Sequence, residues 1–114
     1  MRDLRELDQY RVDGDTENDR QYYGVFCVIS KSSRRTLRVI ASSDMGWDHV
    51  SISLQNRCPN WHEMEQIKHM FFKDDEIAMQ LHVPSYDHIN IHPHCLHMWR
   101  PIDGVIPLPP KEMV

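Results

Sequence analysis

The chain has 114 residues and a formal net charge of −4, with 40% hydrophobic and 26% charged residues. This length and composition predict one compact folded domain and exclude a chain that is mainly disordered. The acidic balance disfavours nucleic-acid binding, and no apolar run is long enough for a transmembrane helix.

Cysteine usage and the N-terminus indicate the cellular compartment. Cys27, Cys58 and Cys95 are an odd number at wide spacings, which favours reduced thiols over a disulfide framework. The first six residues carry charges where a signal peptide needs an apolar stretch. We therefore expect a cytoplasmic protein.

The hydrophobic pattern divides the chain into three segments. Residues 1–20 are highly charged and sustain no period, so we predict an arm that is ordered only where Leu4, Leu7 or Val12 finds a groove. Residues 21–100 form a single predicted domain. Residues 101–114 hold four of the seven prolines and are expected to run extended.

The first strands of the domain follow from β-branched and aromatic runs. Residues 24–29 and 37–41 are two such runs joined by the polar turn 30–35, which predicts a hairpin. Residues 47–55 then alternate strictly between apolar and polar side chains, as a half-buried strand does.

A helix with a readable start comes next. Asn60 is a good N-cap and Glu63 follows three residues later, which is a capping-box pattern. We expect the helix to stop before Asp74, because acidic side chains are unfavourable at a helix C-terminus. Side chains at spacings of three and four form one stripe: Trp61, Met64, Ile67, Lys68, Phe71 and Phe72.

Alternation returns after the helix. Residues 76–83 and 88–92 are predicted strands, and 94–100 either resumes as a strand or wraps as a loop. The apolar sides of the strands need a cover, and the helix stripe supplies one. We therefore predict an α+β fold, an antiparallel sheet of about five strands with one main helix packed on one face.

Side chains on the opposite side of these strands define a polar sheet face. If the strands are neighbours, their side chains lie close enough to share a ligand. An alternative is that this face is simply solvated, since antiparallel sheets often have one polar face that is exposed to water. The candidate residues for binding a ligand or partner are Trp47, His49, Ser51, His82, His88, Asn90 and His92.

The same histidines suggest a metal site as an alternative. Imidazole is a common ligand of divalent transition metals, and His49, His82 and His92 are the candidates. No His-Glu-x-x-His motif accompanies them, so no cofactor is predicted outright. Cys95, between His94 and His97, offers a further alternative as an activated thiol, although a cysteine beside an apolar run is more often a core filler.

Three stretches together carry a family resemblance: residues 46–53, residues 57–72 and residues 88–101. With these motifs the chain resembles a family of small proteins carried by bacteriophages and prophages, catalogued as a domain of unknown function. The resemblance covers the chain from Gly24 to the proline-rich end. It implies a phage or prophage origin and action in the cytoplasm of a bacterial host, and it brings no activity or catalytic residue.

The absence of a complete catalytic motif favours a binding protein over an enzyme. We expect a small accessory protein that binds a host or defence protein, or a small ligand, through the polar sheet face. The alternative is a metal-dependent hydrolase or nuclease that uses the same histidines. A structural role in the virion is a third possibility.

Overall fold

The computed structural model describes residues 3–14, 22–44, 46–54, 57–73, 75–82 and 94–101. Within them lie a short 3-10 helix, six strands and one α-helix. No described helix is long and apolar enough to cross a membrane. The 3-10 helix is Leu4–Tyr10 and α1 is Trp61–Phe72; the strands are β1 (Arg11–Asp13), β2 (Tyr22–Ile29), β3 (Thr36–Asp44), β4 (Trp47–Leu54), β5 (Ala78–His82) and β6 (His94–Pro101).

The six strands form one antiparallel sheet in the order β1-β2-β3-β4-β6-β5. Strands β2, β3 and β4 follow each other as a meander. Strand β6 then enters between β4 and β5, so β4 and β5 are not neighbours. This order decides which polar side chains meet on the sheet.

The predicted α+β arrangement is confirmed, with α1 packed on one face of the sheet. Ile67, Phe71 and Phe72 of α1 lie in one buried cluster with the inward residues of the strands. Phe26 and Phe71 meet edge to face with ring centroids 5.2 Å apart, a favoured aromatic geometry. The inward strand residues are Phe26, Val28, Leu37, Val39, Ala41, Val50, Ile52, Leu96 and Met98.

The predicted count of about five strands was too low by one. Strand β1, which the sequence did not predict, lies in the charged arm and pairs with β2 across an irregular register. Strand β6 occupies the segment left open between strand and loop, and the predicted strand 88–92 lies outside the described residues. Three residues are too few to display a hydrophobic period, so no sequence pattern marks β1. The 3-10 helix before it buries Leu4 and Leu7 in the main core, whereas Val12 is exposed.

The start of α1 is the capping box that the sequence predicts. The Asn60 side chain accepts from the Glu63 amide at 2.8 Å, and the Glu63 carboxylate accepts from the Asn60 amide at 2.9 Å. Glu63 is fully buried and also accepts from Arg57 Nη1 at 2.6 Å and from Ser33 Oγ at 2.9 Å. Because Glu63 takes the inward position of this turn, Trp61 is 64% exposed rather than part of the buried stripe.

One side chain of α1 also connects the helix to the first hairpin. The amide of Gln66 donates from Nε2 to the Ile29 carbonyl at 3.0 Å and accepts at Oε1 from the Lys31 amide at 3.0 Å. This two-bond pattern copies the pairing of a neighbouring strand. The end of β2 is thereby tied to the middle of α1.

Candidate functional site

Two rows of residues cross the sheet face opposite α1. In the first row, His49 of β4 lies in register with Ser42 of β3 and with Trp99 of β6, and Trp99 in turn pairs with Ala78 of β5. The second row lies two residues away from the first on every strand and consists of Ile40, Ser51, His97 and Gln80. Side chains on a strand alternate between faces, so both rows project away from the helix-covered core.

His49 and His97 form an imidazole pair at the centre of these rows. His49 Nε2 and His97 Nδ1 lie 2.8 Å apart, which is a hydrogen bond. The ring planes differ by 16° and the centroids lie 5.0 Å apart. Two rings joined through facing nitrogens at this distance lie side by side, so the pair forms one nearly flat surface.

Trp99 supports the imidazole pair from one side. Its indole is inclined by 24° to His49 and by 22° to His97, with centroids 5.6 Å and 5.5 Å away. Trp99 is only 1% exposed and Ser51 only 8% exposed, while both histidines are half-buried. This face is therefore a partly enclosed polar and aromatic site and not an open, fully solvated surface.

The enclosure keeps His49 neutral. Burial, followed by the proximity of His97, lowers the pKa of His49 from 6.5 to about 4, because a buried imidazolium loses its hydration. At neutral pH this ring therefore has one donor nitrogen and one acceptor nitrogen, and its Nε2 is engaged with His97.

A buried acceptor lies next to the pair. Gln80 pairs in register with His97, and its side chain is mostly buried. Within the part of the chain that the structure describes, Gln80 Oε1 is a buried oxygen without a hydrogen-bond partner. Such groups are rare in folded proteins because each one loses its hydration without compensation.

Comparison with known proteins identifies the family. Residues 39–103, more than half of the chain, match a domain of unknown function, DUF7694. The chain belongs to the DUF7694 family. No curated protein and no solved structure matches the chain.

The DUF7694 region contains the whole candidate site. It begins within β3 and ends two residues after β6, so it includes both rows and α1. The 3-10 helix, β1 and β2 precede it. The site is therefore formed by the family domain itself and not by the arm.

The predicted site residues divide into two groups. Trp47, His49 and Ser51 lie along β4, and of these His49 and Ser51 belong to the two rows. The backbone of His82 pairs with Cys95 two rows away from His49, and β6 separates its strand from β4. The predicted residues that lie outside the described part of the chain are His88, Asn90 and His92.

Sequence reasoning missed the two central partners of His49. His97 and Trp99 lie on β6, in the segment left open between strand and loop. A signal for them exists, because Leu96 and Met98 are apolar and flank His97, so a strand would project His97 and Trp99 to the opposite face. Pro93, just before this segment, obscured that alternation.

The geometry of the imidazole pair bears on the metal hypothesis. Two nitrogens on one tetrahedral zinc ion lie about 3.3 Å apart, with both lone pairs directed at the metal. The facing nitrogens of His49 and His97 lie at 2.8 Å and share a proton instead. Among the described residues no group of three or more His, Cys, Asp or Glu side chains could hold a metal ion.

Asp48, next to His49 in sequence, lies on the other face of β4. Asp48 projects to the helix side of β4, where it is buried and within hydrogen-bonding reach of the Tyr23 hydroxyl. Burial and the negative charge of Asp48 raise the pKa of Tyr23. This contact links β2 to β4 at the end of the sheet and is separate from the imidazole pair.

Proposed function

We propose that this protein is a small binding protein that recognises a small polar ligand at the imidazole pair and its two rows. The resemblance to phage and prophage proteins supports an accessory role inside a bacterial cell. Among the described residues no complete set of catalytic groups accompanies the histidines, so binding without chemistry is the simplest activity that fits the site.

The observation that carries this proposal is the combination of burial and polarity around His49. Small-molecule sites are concave and largely apolar, with a few convergent polar groups. Trp99 and Ser51 are buried beside two half-buried imidazoles, which supply the aromatic lining and the convergent polar groups of such a site. A host or defence protein docking on a flat surface would need more exposed side chains than these, so the small ligand is the preferred occupant.

The alternative is a metal-dependent hydrolase or nuclease. One observation favours it, namely that two imidazoles from neighbouring strands already meet and that His49 is neutral at physiological pH. Metal binding would have to replace the hydrogen bond between the two rings. Elemental analysis of untagged protein, purified without chelator, distinguishes the binding protein from the metal-dependent enzyme. About one metal ion per chain, lost in His49→Gln, would favour the enzyme and contradict the binding-protein proposal.

The direct test is a ligand screen with residue-level detection. A library of small polar compounds of each charge type is added to isotope-labelled protein, and backbone amide shifts are followed by NMR. We expect the compounds that bind to shift the amides of His49, Ser51 and His97 together. We also expect His97→Gln to weaken these ligands at least tenfold, because it removes one half of the imidazole pair.

The matched control is His62→Gln, which changes an exposed histidine on α1. It should leave unchanged the affinity of every ligand that shifts the amides of the two rows. The proposal fails if no compound shifts the two rows, or if His97→Gln and His62→Gln bind the same ligands equally well.

A further inference from the structure

The charge of the two rows restricts the ligand of the proposed site. Their residues are Ser42, His49, Trp99 and Ala78, and Ile40, Ser51, His97 and Gln80, none of which is acidic, Lys or Arg. The hydrogen bond between His49 and His97 also requires that one facing nitrogen has no proton, so the pair cannot hold two charges. An ionic ligand would lose its hydration here without a counter-charge, which is costly.

The shape of the site favours a flat ligand. The rings of His49, His97 and Trp99 lie within 24° of parallel, and the imidazole pair is one nearly flat surface. Planar heterocycles stack on such surfaces, since every base has a π-face. Branched aliphatic compounds gain less from a flat surface, because they cannot bring a whole face into contact with it.

The free acceptor on Gln80 adds a directional requirement. Gln80 Oε1 is buried next to His97 in the second row and has no partner among the described residues. This oxygen has almost no accessible surface in the free protein, so an N–H group of a ligand would satisfy it once the Gln80 side chain turns towards the imidazole pair. A ligand without such a donor would leave this oxygen unpaired and would bind more weakly.

From these three features we infer that the ligand is an uncharged planar nitrogen heterocycle with an N–H donor, of the nucleobase or nucleoside class. The inference depends on the proposed function, because it names the ligand class for the same site. A free nucleoside fits better than a nucleic-acid strand, since the two rows offer no cation for phosphates.

The experiment is calorimetric titration of the full chain with paired compounds. The pairs are adenosine with N6,N6-dimethyladenosine and uridine with 3-methyluridine, in which methylation removes N–H donors and keeps the flat ring. Adenosine monophosphate tests the effect of charge. We expect at least one parent nucleoside to bind, and its methylated form to bind about tenfold more weakly, the effect of one hydrogen bond. The phosphorylated form should also bind more weakly than adenosine, because its charge finds no counter-charge in the two rows.

Gln80→Met is the variant that separates recognition from structure. It should weaken the bound nucleoside about tenfold and leave the melting temperature unchanged or raised, because it removes an oxygen that has no partner in the free protein. A lowered melting temperature with unchanged affinity would assign Gln80 a structural role and overturn the inference. Gln9→Met, on the exposed side of the 3-10 helix, is the matched control.

The outcomes distinguish this inference from the proposed function. If charged or non-planar compounds shift the His49 and His97 amides while every nucleoside fails, the ligand class is wrong and the binding site stands. Equal affinity for parent and methylated nucleosides also overturns the ligand class. If no compound of any class binds at the two rows, both proposals fall.

Discussion

Replacing Glu63 by Gln tests the most heavily bonded buried charge that the structure describes. The carboxylate of Glu63 has no exposed surface and accepts hydrogen bonds from Arg57, from the Asn60 amide and from Ser33. Gln has nearly the same shape, so the substitution removes the charge with little change in packing. It also directs an NH2 group at the Arg57 guanidinium, where two donors then face each other.

The structure sets the size of the effect. The hydrogen bonds from Arg57, opposed by burial and aided by the Asn60 amide, lower the pKa of Glu63 from 4.5 to about 2. Each pKa unit corresponds to about 1.4 kcal/mol, so the shift corresponds to about 3 kcal/mol of folding free energy. Because 30% of the Arg57 side chain is exposed, water screens part of this interaction, and we expect a loss of about 2 kcal/mol.

The assay is urea unfolding at 25 °C, followed by circular dichroism. At pH 7 the free energy of unfolding should fall by about 2 kcal/mol with an unchanged m value. Because the native pKa of Glu63 is lowered, its contribution is complete above pH 4.5 and disappears as the pH falls towards 2. The difference between the chain and Glu63→Gln should therefore shrink in acid.

Glu65→Gln is the control, since Glu65 is exposed on the same helix. It should change the free energy of unfolding by less than about 0.5 kcal/mol. If Glu63→Gln is as mild as Glu65→Gln at pH 7, then the pair with Arg57 contributes nothing net and the reasoning is refuted.

Three further changes test other parts of the structure. His49 has a native pKa of about 4, so the free energy of unfolding should fall by about 1–2 kcal/mol between pH 7 and pH 5, as the unfolded chain takes up the proton. In urea unfolding, His49→Gln should reduce this pH dependence, whereas the exposed His62→Gln should not. Equal pH dependence in the two variants would contradict the lowered pKa of His49. Gly24→Ala should lower the stability measured by thermal unfolding by about 1–3 kcal/mol more than Gly46→Ala does. Both glycines have positive φ, but of the two only Gly24 lies so close to a carbonyl oxygen that an added methyl group would overlap it. Equal losses of stability would rule out the overlap. Leu7→Ala should lower the stability by about 2–5 kcal/mol in the same assay, because Leu7 of the arm is buried in the core. Unchanged stability would show that the arm does not contribute to the core.

Local patterns in the sequence were sufficient for several elements. Asn60 and Glu63 lie three residues apart, and the capping box that they form depends only on that spacing. The strict alternation around His49 correctly predicted which face of β4 it occupies, because side-chain direction in a strand is a local property.

Strand order and burial depend on contacts between residues that are distant in the chain. Local sequence patterns did not reveal those contacts. Nothing local indicates that β6 enters between β4 and β5, yet this order places His97, and not His82, beside His49. Trp61 illustrates the same limit on the helix. The spacing of Trp61 fits the buried stripe, but Trp61 is exposed. The hydrogen bonds of Glu63 with Arg57 and Ser33 bury Glu63 at that position of the helix instead.

The Gln66 bridge between α1 and the first hairpin has a consequence for how molecules of this protein meet each other. In the described part of the chain β1 pairs with β2 only at Val25 and Phe26, so no strand runs beside residues 27–29, and Ile29 there is 58% exposed. Unpaired strand edges next to apolar side chains are templates on which another chain can add, the first step of aggregation. By occupying the Ile29 carbonyl and the Lys31 amide, Gln66 removes the hydrogen-bonding groups that an incoming strand would use. Helix α1 therefore protects the solubility of the sheet as well as covering its core.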